Sequence, residues 1–496
     1  MKNKLLSSYF TFILCYLLPK NGIRYKVNGI WYIAFLYFLI SLCLIPYTSF
    51  AQIHSDAFFG SYYPGKTECL NDVQRAEIKK QIAENIAVLK QQGKLAAPNP
   101  SIVTLLDWPL KLRAGLVDYG YHSIAAQVDH DANYPNILLD YNCGQRTYDT
   151  QAGYNHQGTD YFLWPFSWNK MDSSDVEIIA AAPGTIVYKS DGNFDRSCSF
   201  NSNNWNAVYI QHADGSVAWY GHMKKNSLTT KPVGATVVQG EYLGTVGSSG
   251  NSSGPHLHLE IYDPGNNLND PYQGTCNNFN SSSWWINQRP YLDAAINHIA
   301  SNSHPPVWGN CPNEDTKNEW DYFSQTDTVF LMTYFRFLSL NDTADITIRR
   351  PDNSIWSNWQ WINTWGDYNA AYVYWWIIAG TGEPNGTWTF QADYKNQSYS
   401  DTFILGTVGT NEISSNNMIS ISPNPSSGQF TVYSSQFTAG KNYKLEIYTM
   451  IGEKKYQSII NNHSSIINLD VPAGMYFYSV ADENKMTVSS GKIIIK

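Results

Sequence analysis

Charged side chains are scarce in this chain of 496 residues. They make up 15% of the sequence, against about a quarter in an average soluble domain, and the formal net charge is -8. Nucleic-acid-binding domains carry a concentrated basic face, so this balance predicts no nucleic acid among the partners. Aromatic residues also reach 15%. Few charges and many aromatic residues are typical of an extracellular protein rich in β-structure, and a chain of this length should form several domains.

Residues 1–51 have the pattern of a secretory signal peptide. Basic residues precede an apolar run from Ile30 to Pro46, and the small residues Ser49 and Ala51 come just before a predicted cut ahead of Gln52. A second apolar stretch, Leu5 to Leu18, leaves a misassigned start codon or a retained membrane anchor as alternatives. We predict export through the periplasm and a mature form without a membrane segment.

Cysteine is scarce as well, with seven in the chain and none in the Cys-x-x-Cys spacing of a zinc ribbon. Two of them, Cys15 and Cys43, would leave with the signal peptide. The others are Cys69, Cys143, Cys198, Cys276 and Cys311. An odd number in an oxidising compartment predicts one or two disulfide bonds and one remaining thiol, and the sequence does not indicate which cysteine stays free.

After the predicted cut, the sequence divides into four regions. Residues 52–142 form a lead-in region, in which Asn71 to Gly93 has the apolar spacing of an amphipathic helix. Residues 143–305 contain short apolar runs separated by glycine-rich turns, which is the pattern of antiparallel hairpins. Residues 313–405 and 418–496 are two further β-rich regions. The predicted fold class is therefore mainly β: an antiparallel β-sheet domain, a β-sandwich and a small C-terminal β-sandwich, behind a short helical region.

Residues 313–405 are dense in tryptophan, which allows two interpretations. Exposed, stacked tryptophans would form a face that binds glycan or cell wall. The alternative is an ordinary sandwich core, and this is favoured because Tyr372 to Ile378 reads as a continuous buried strand.

Two short patterns indicate a metal site. His256 and His258 stand two residues apart in a strand-like run, so both imidazoles should lie on the same face of a strand. About a hundred residues earlier, His156 and Asp160 offer another imidazole and a carboxylate. One histidine of the pair together with His156 and Asp160 would supply three protein ligands and leave a fourth tetrahedral position open, which is the layout of a catalytic zinc site.

The segments Asn155 to Asp160, Trp219 to Met223 and Gly254 to Glu260, in this order, resemble the LytM/lysostaphin-type zinc endopeptidases. The match covers roughly Tyr141 to Asn297. The resemblance implies a Zn²⁺ cofactor held by His156, Asp160 and His258. It also implies that His222 and His256 handle the attacking water and the developing oxyanion, with His222 preferred as the base and the two roles open to exchange.

The resemblance implies hydrolysis of peptide bonds in the crosslinks of bacterial peptidoglycan. An extracellular glycine-rich protein is an alternative substrate, and a metal-free, catalytically silent cell-wall binder or activator is the alternative from another class. The position of the amphipathic helix ahead of the enzyme leaves an inhibitory lead-in as a further hypothesis.

Other polar residues near these motifs receive simpler interpretations. Glu260 could support a ligand histidine by a hydrogen bond, or it could be structural. Lone histidines are more often packed or surface residues than ligands, and we interpret the following seven in that way: His54, His122, His130, His212, His298, His304 and His463.

The C-terminus resembles the sorting domain of type IX secretion. The resemblance rests on Ser422 to Pro425, Ile447 to Gly452, Leu469 to Phe477 and Lys492 to Lys496. It implies export across an outer membrane by the type IX machinery, followed by cleavage and release or surface attachment. The alternative is a small accessory β-sandwich.

Overall fold

The computed structural model describes residues 52–58, 68–99, 101–406, 420–433, 442–449, 452–460, 464–482 and 487–496. The predicted signal peptide lies outside the described residues. No helix within these ranges is long and apolar enough to cross a membrane.

The amphipathic helix is confirmed as α1 (Asp72–Gln91). Asn71 caps it through a capping box with Gln74, which satisfies two backbone N–H groups that the first turn leaves without partners. Ile82 and Leu89 are buried on one face, against aromatic side chains that include Trp205. The helix therefore docks on the β-structure that follows it instead of standing apart.

Two sheets form the region of the predicted peptidase. The strand that precedes α1 is β1 (Gln52–Phe58), which does not belong to these two sheets. The elements of the peptidase region are β2 (Leu110–Leu112), β3 (His122–Ala126), β4 (Thr159–Leu163), α2 (Ser167–Asp172), β5 (Val176–Ile179), β6 (Gly184–Ser190), β7 (Ala207–Gln211), β8 (Val217–Gly221), β9 (Thr236–Val237), β10 (Tyr242–Thr245), β11 (His256–Tyr262) and β12 (Leu268–Asn269). The larger sheet has the order β3-β4-β11-β8-β7-β6-β9, with β12 paired to β11, and the smaller one has the order β10-β5-β2. Tyr161, Tyr220 and Leu257 are fully buried between them, so the central strands of the larger sheet are anchored in the main core.

The next strands build a β-sandwich from two sheets. They are β13 (Ala295–Asn302), β14 (Tyr322–Phe323), β15 (Val329–Leu338), β16 (Thr343–Arg349), β17 (Ile355–Ile362), β18 (Tyr368–Ile377), β19 (Gly386–Tyr394) and β20 (Gln397–Leu405). One sheet has the order β1-β18-β15-β13 and the other β14-β20-β19-β16-β17. Trp375 and Trp388 are buried in the shared core, whereas Trp365 is 42% exposed. Most of the tryptophan content here serves packing, as the core interpretation predicts.

Strand pairing joins segments that the proposed domain boundaries separate. β2 and β3, from the lead-in region, pair with β5 and β4 of the predicted peptidase region. β13 comes before residue 305, yet it pairs with β15 of the sandwich. The physical reason is burial: Leu110 of β2 and Ile124 of β3 belong to the core of the peptidase region, and Ile296 of β13 belongs to the core of the sandwich.

The C-terminal region contains two small sheets around one core. Its strands are β21 (Ser420–Ser422), β22 (Gln429–Tyr433), β23 (Tyr443–Tyr448), β24 (Lys454–Ile460), β25 (Ser464–Asn468), β26 (Gly474–Ala481) and β27 (Thr487–Ile495). They form the orders β21-β22-β25 and β24-β23-β26-β27, and Phe430, Leu445 and Ile493 are buried in the core. The mainly β fold class is confirmed.

Two disulfide bonds form, and one thiol remains among the described cysteines, as predicted. The bonds join Cys143 to Cys276 and Cys198 to Cys311. The free cysteine is Cys69, which is buried. Cys69 lies at the candidate site, next to His258.

Candidate metal centre and active site

Three adjacent strands bring the predicted site residues together. In the central strand β11, His258 pairs with Asp160 of β4 on one side and with Gly221 of β8 on the other. His222 follows Gly221 immediately and takes a left-handed backbone conformation, with φ 59°. The register of the sheet therefore places an imidazole, a carboxylate and a second imidazole side by side, although Asp160, His222 and His258 lie far apart in the chain.

The donor atoms of His156, Asp160 and His258 converge. His258 Nδ1 lies 2.7 Å from Asp160 Oδ1 and 3.3 Å from His156 Nε2, and His156 Nε2 lies 3.2 Å from Asp160 Oδ2. Tetrahedral zinc with its usual ligand bonds of about 2.0–2.1 Å sets neighbouring nitrogen and oxygen donors about 3.3 Å apart. Two imidazole nitrogens and one carboxylate are a donor set that zinc uses, so these three residues fit that metal.

Hydrogen bonds on the far side of each ring fix which nitrogen faces the centre. His156 Nδ1 lies 2.7 Å from the Gln127 carbonyl oxygen, which leaves Nε2 toward Asp160. His258 Nε2 lies 2.9 Å from Glu260 Oε1, which leaves Nδ1 toward the same point. Glu260 in turn forms a two-pronged ion pair with Arg75 of α1, at 2.6 and 2.9 Å. Such outer partners orient metal ligands and raise their basicity, so the supporting interpretation of Glu260 matches its contacts.

Gly158, between His156 and Asp160, allows the ligand loop to approach the central strand. A Cβ at this position would lie 2.6 Å from His258 Nε2 and 2.7 Å from the Leu259 carbonyl oxygen. Any larger residue would therefore displace the ring that faces the centre.

His222 and His256 lie beside the three converging donors. Their ring centroids are 4.2 Å apart, and His256 Nε2 lies 3.8 Å from Asp160 Oδ1. His222 Nδ1 lies 2.6 Å from the Ser249 carbonyl oxygen, and His256 Nδ1 lies 2.8 Å from the Gly254 carbonyl oxygen. A ring nitrogen next to a carbonyl must be the protonated one, so in the neutral form both rings present an unprotonated Nε2.

The buried groups of the centre shift each other's pKa values. Burial alone would lower the pKa of His156, but the Asp160 carboxylate raises it to about 9. Burial would raise the pKa of Asp160, but the neighbouring His156 and His258 hold it well below its usual range. For His256, burial and the proximity of His222 lower the pKa to about 4, so this imidazole is neutral at pH 7.

Cys69 is a member of this cluster that the sequence did not identify. Its Sγ lies 3.6 Å from His258 Nδ1, 3.2 Å from Tyr148 Oη and 3.6 Å from Tyr154 Oη. The odd number of cysteines after the predicted cut indicated that one thiol stays free, and the sequence held no other indication of this role. No sequence pattern connects position 69 to a strand nearly two hundred residues later.

The other histidines stay outside the donor groups. Within the described part of the chain, the residues close enough to hold a metal form two groups that share His258: Cys69 with His222 and His258, and His156 with Asp160 and His258. His130 instead pairs with buried Asp270 at 2.9 Å, and His298 bonds Asp118 and Glu319. The side chain of His54 and the whole of His463 lie outside the described residues.

Comparison with known protein families agrees with this arrangement. A model of peptidase family M23 matches residues 155–270, which contain all five predicted site residues. This part of the chain is a peptidase family M23 domain. A model of the secretion system C-terminal sorting domain matches residues 420–496, which indicates secretion. Both resemblances inferred from the sequence are confirmed.

The M23 domain has curated relatives that share this part of the chain. The peptidoglycan DD-endopeptidase ShyC of Vibrio cholerae is 31% identical over 106 residues, which are 21% of this chain and 20% of that protein. The DD-carboxypeptidase/endopeptidase Mpg of Neisseria meningitidis is 42% identical over 90 residues, which are 18% of each protein. The chain thus spans about a fifth of the length of these relatives. Among solved structures, a mutant catalytic domain of the prophage-encoded M23 protein EnpA from Enterococcus faecalis is 24% identical, covers 30% of this chain and 88% of that one, and has a TM-score of 0.19.

Proposed function

We propose that the M23 domain is a zinc-dependent endopeptidase that hydrolyses peptide bonds in peptidoglycan crosslinks. The observation that carries the proposal is the convergence of donor atoms from His156, Asp160 and His258 beside two further imidazoles that present unprotonated nitrogens. Zinc held by these three ligands would lower the pKa of a bound water toward 7 and polarise the scissile carbonyl.

His222 and His256 are equipped to move a proton. Each donates Nδ1–H to a backbone carbonyl and keeps a lone pair on Nε2, so each can accept the proton of an attacking water and return it to the leaving amine. After accepting that proton, either ring becomes a hydrogen-bond donor and can stabilise negative charge on the tetrahedral intermediate. We assign the base to His222, with His256 on the substrate side because its side chain is 15% exposed whereas His222 is fully buried.

The substrate class rests on the relatives. Two of them carry names that state endopeptidase activity, in one case on peptidoglycan. A catalytically silent binder would tolerate replacement of ligands, whereas this chain has a suitable side chain at each of the five positions. We further propose that the C-terminal domain directs export by the type IX machinery, which would bring the peptidase to walls outside the producing cell.

Metal dependence can be tested on purified peptidoglycan. We expect the secreted protein to release peptides, a chelator to abolish the release and added zinc to restore it. Mass analysis of the products from defined muropeptides and from a glycine-rich protein would identify the bond that is cut. Unchanged release in the presence of chelator would contradict zinc catalysis, and binding to peptidoglycan without any release would favour the silent alternative.

A further inference from the structure

Cys69 lies beside His258, the one residue that belongs to both groups of candidate metal donors. Its Sγ lies 3.6 Å from His258 Nδ1, and its ligand atom belongs with those of His222 and His258 to one group whose members lie within 4.8 Å of one another. Zinc bonds of about 2.3 Å to sulfur and 2.0–2.1 Å to nitrogen set tetrahedral sulfur and nitrogen donors about 3.6 Å apart. The separation of Cys69 from His258 therefore suits two ligands of one metal.

A second observation points to a missing ligand at the same place. His222 is fully buried, and its Nε2 has no hydrogen-bond partner within the described part of the chain. A buried ring nitrogen without a partner is costly, and it faces a group that holds a thiol and another imidazole. The cluster is therefore incomplete as protein alone.

The chain fixes Cys69 in this position from both sides. Leu70 is buried in the core beneath α1, and Asn71 caps that helix two residues after the thiol. Ahead of it, the Glu68 carbonyl oxygen accepts a hydrogen bond from Asn251 Nδ2. Arg75, one turn into the helix, is bound to Glu260. These contacts hold the Cys69 thiol in a defined position beside the candidate metal ligands.

We propose that Cys69 is the fourth ligand of the metal in the intact chain, so that the segment ahead of α1 closes the centre and keeps the peptidase latent. The proposal rests on the proposed function, since it presupposes the ligands His156, Asp160 and His258. Cys69 would bind as a thiolate and release its proton to solvent. A centre with four protein ligands has the closed coordination of structural zinc and leaves no position for water.

The burial of the site agrees with a closed state. His156, His222 and His258 are fully buried, and of the five predicted site residues Asp160 and His256 alone show side-chain exposure, at 11% and 15%. A peptidase must admit a peptide to its metal. Displacement of Cys69 would open the coordination position and the approach to it together.

Cobalt substitution tests the ligand directly, with a readout independent of activity. The protein is purified with its N-terminal segment intact, loaded with Co²⁺ and examined by absorption spectroscopy. We expect a near-ultraviolet thiolate-to-cobalt charge-transfer band in the natural protein, and loss of this band in Cys69→Ala and in Cys69→Ser, while the visible cobalt bands persist. Val73→Ala, an exposed position in the first turn of α1, is the matched control and should keep every band.

Metal affinity and turnover give two further readouts. Cys69→Ala should weaken zinc affinity at least about tenfold in competition with a chelator, in the range expected when support of a metal is lost. The same variant should release peptides from peptidoglycan at least about tenfold faster, because the competent open state is no longer a minor population.

Failure of this inference can be distinguished from failure of the proposed function. Visible cobalt bands without a charge-transfer band in the natural protein would overturn the Cys69 ligand and leave the three-ligand centre standing. Absence of any cobalt bands in the natural protein and in both variants would overturn the metal centre itself. The first spectrum needs no variant, so a substitution that prevents folding does not remove the test.

Discussion

Removal of Arg75 from its ion pair with Glu260 should destabilise the fold, because it would leave a buried carboxylate unpaired on the strand that carries His258. Glu260 is fully buried, and the Arg75 side chain is 10% exposed. Burial alone would raise the pKa of the Glu260 carboxyl, but the charge of Arg75 and the hydrogen bond from His258 hold it well below its usual range. Arg75→Met would fill most of the same volume while leaving that carboxylate without its cation.

The structure sets the expected size of the loss. Breaking a buried ion pair by removal of one partner typically costs about 3–5 kcal/mol. In the variant, each Glu260 oxygen would keep one hydrogen bond, Oε1 from His258 Nε2 and Oε2 from Tyr262 Oη, both at 2.9 Å. We therefore expect the lower end, about 3 kcal/mol. With a urea dependence of about 2–3 kcal/mol per M, the unfolding midpoint should fall by about 1 M or slightly more.

Urea unfolding followed by tryptophan fluorescence measures this change, with chelator in every sample so that metal binding does not contribute to stability. Lys80→Met on the same helix is the control: Lys80 is 61% exposed, and its nearest carboxylates are 3.9 and 4.0 Å away, so its loss should stay within about 0.5 kcal/mol. The double variant Arg75→Met with Glu260→Gln should recover part of the loss, since the uncompensated charge is then gone. Equal midpoints for Arg75→Met and Lys80→Met would refute the reasoning.

Three further outcomes follow from the site and from a second titrating cluster. His258→Ala should lose bound zinc, whereas His222→Ala should keep the metal and lose turnover, as measured by metal analysis and peptide release; equal metal loss in both would overturn the assigned roles. Gly158→Ala should weaken zinc affinity at least about tenfold in chelator competition, because the added methyl group displaces the His258 ring. Burial would lower the pKa of His298, but Asp118 and Glu319 raise it to about 9, so its protonated form stabilises the folded state fully below pH 6.5 and this contribution disappears as the pH rises through 9. Because the His298 side chain is partly exposed, solvent screens its charge, and we expect the free energy of unfolding to fall by about 1–2 kcal/mol over this pH range. Urea unfolding midpoints measured between pH 6 and 10 should show this loss, and the midpoint of His298→Gln should depend less on pH over the same range.

Much of the secondary structure could be predicted from local patterns in the sequence. Apolar spacing predicted α1, and the alternation in β11 placed His256 and His258 on one strand, where the structure has them. These features depend on neighbours within a few residues, so the sequence displays them directly. Strand partners are different, since β3 joins β4 and β13 joins β15 through pairing that no local pattern encodes.

The candidate site divides in the same way. His156, Asp160, His222, His256 and His258 carry recognisable motifs, and the structure brings all five together. Their supports do not carry such motifs: the Gln127 carbonyl that orients His156, and Arg75 that holds Glu260, reach the site from the lead-in region by contacts across the sheet. Orientation depends on three-dimensional register, and the register becomes visible once the strands are paired.

The lead-in region therefore does two separable things at the centre. Arg75 supports His258 through Glu260 from inside α1, and Cys69 approaches the same histidine from outside it. Asn71 stands between them as the helix cap and satisfies the first turn without help from the preceding residues. Removal of the chain up to Cys69 would thus open the centre while leaving the helix start and the Arg75 ion pair in place. A latent form built in this way can be activated without loss of the support that orients its ligands.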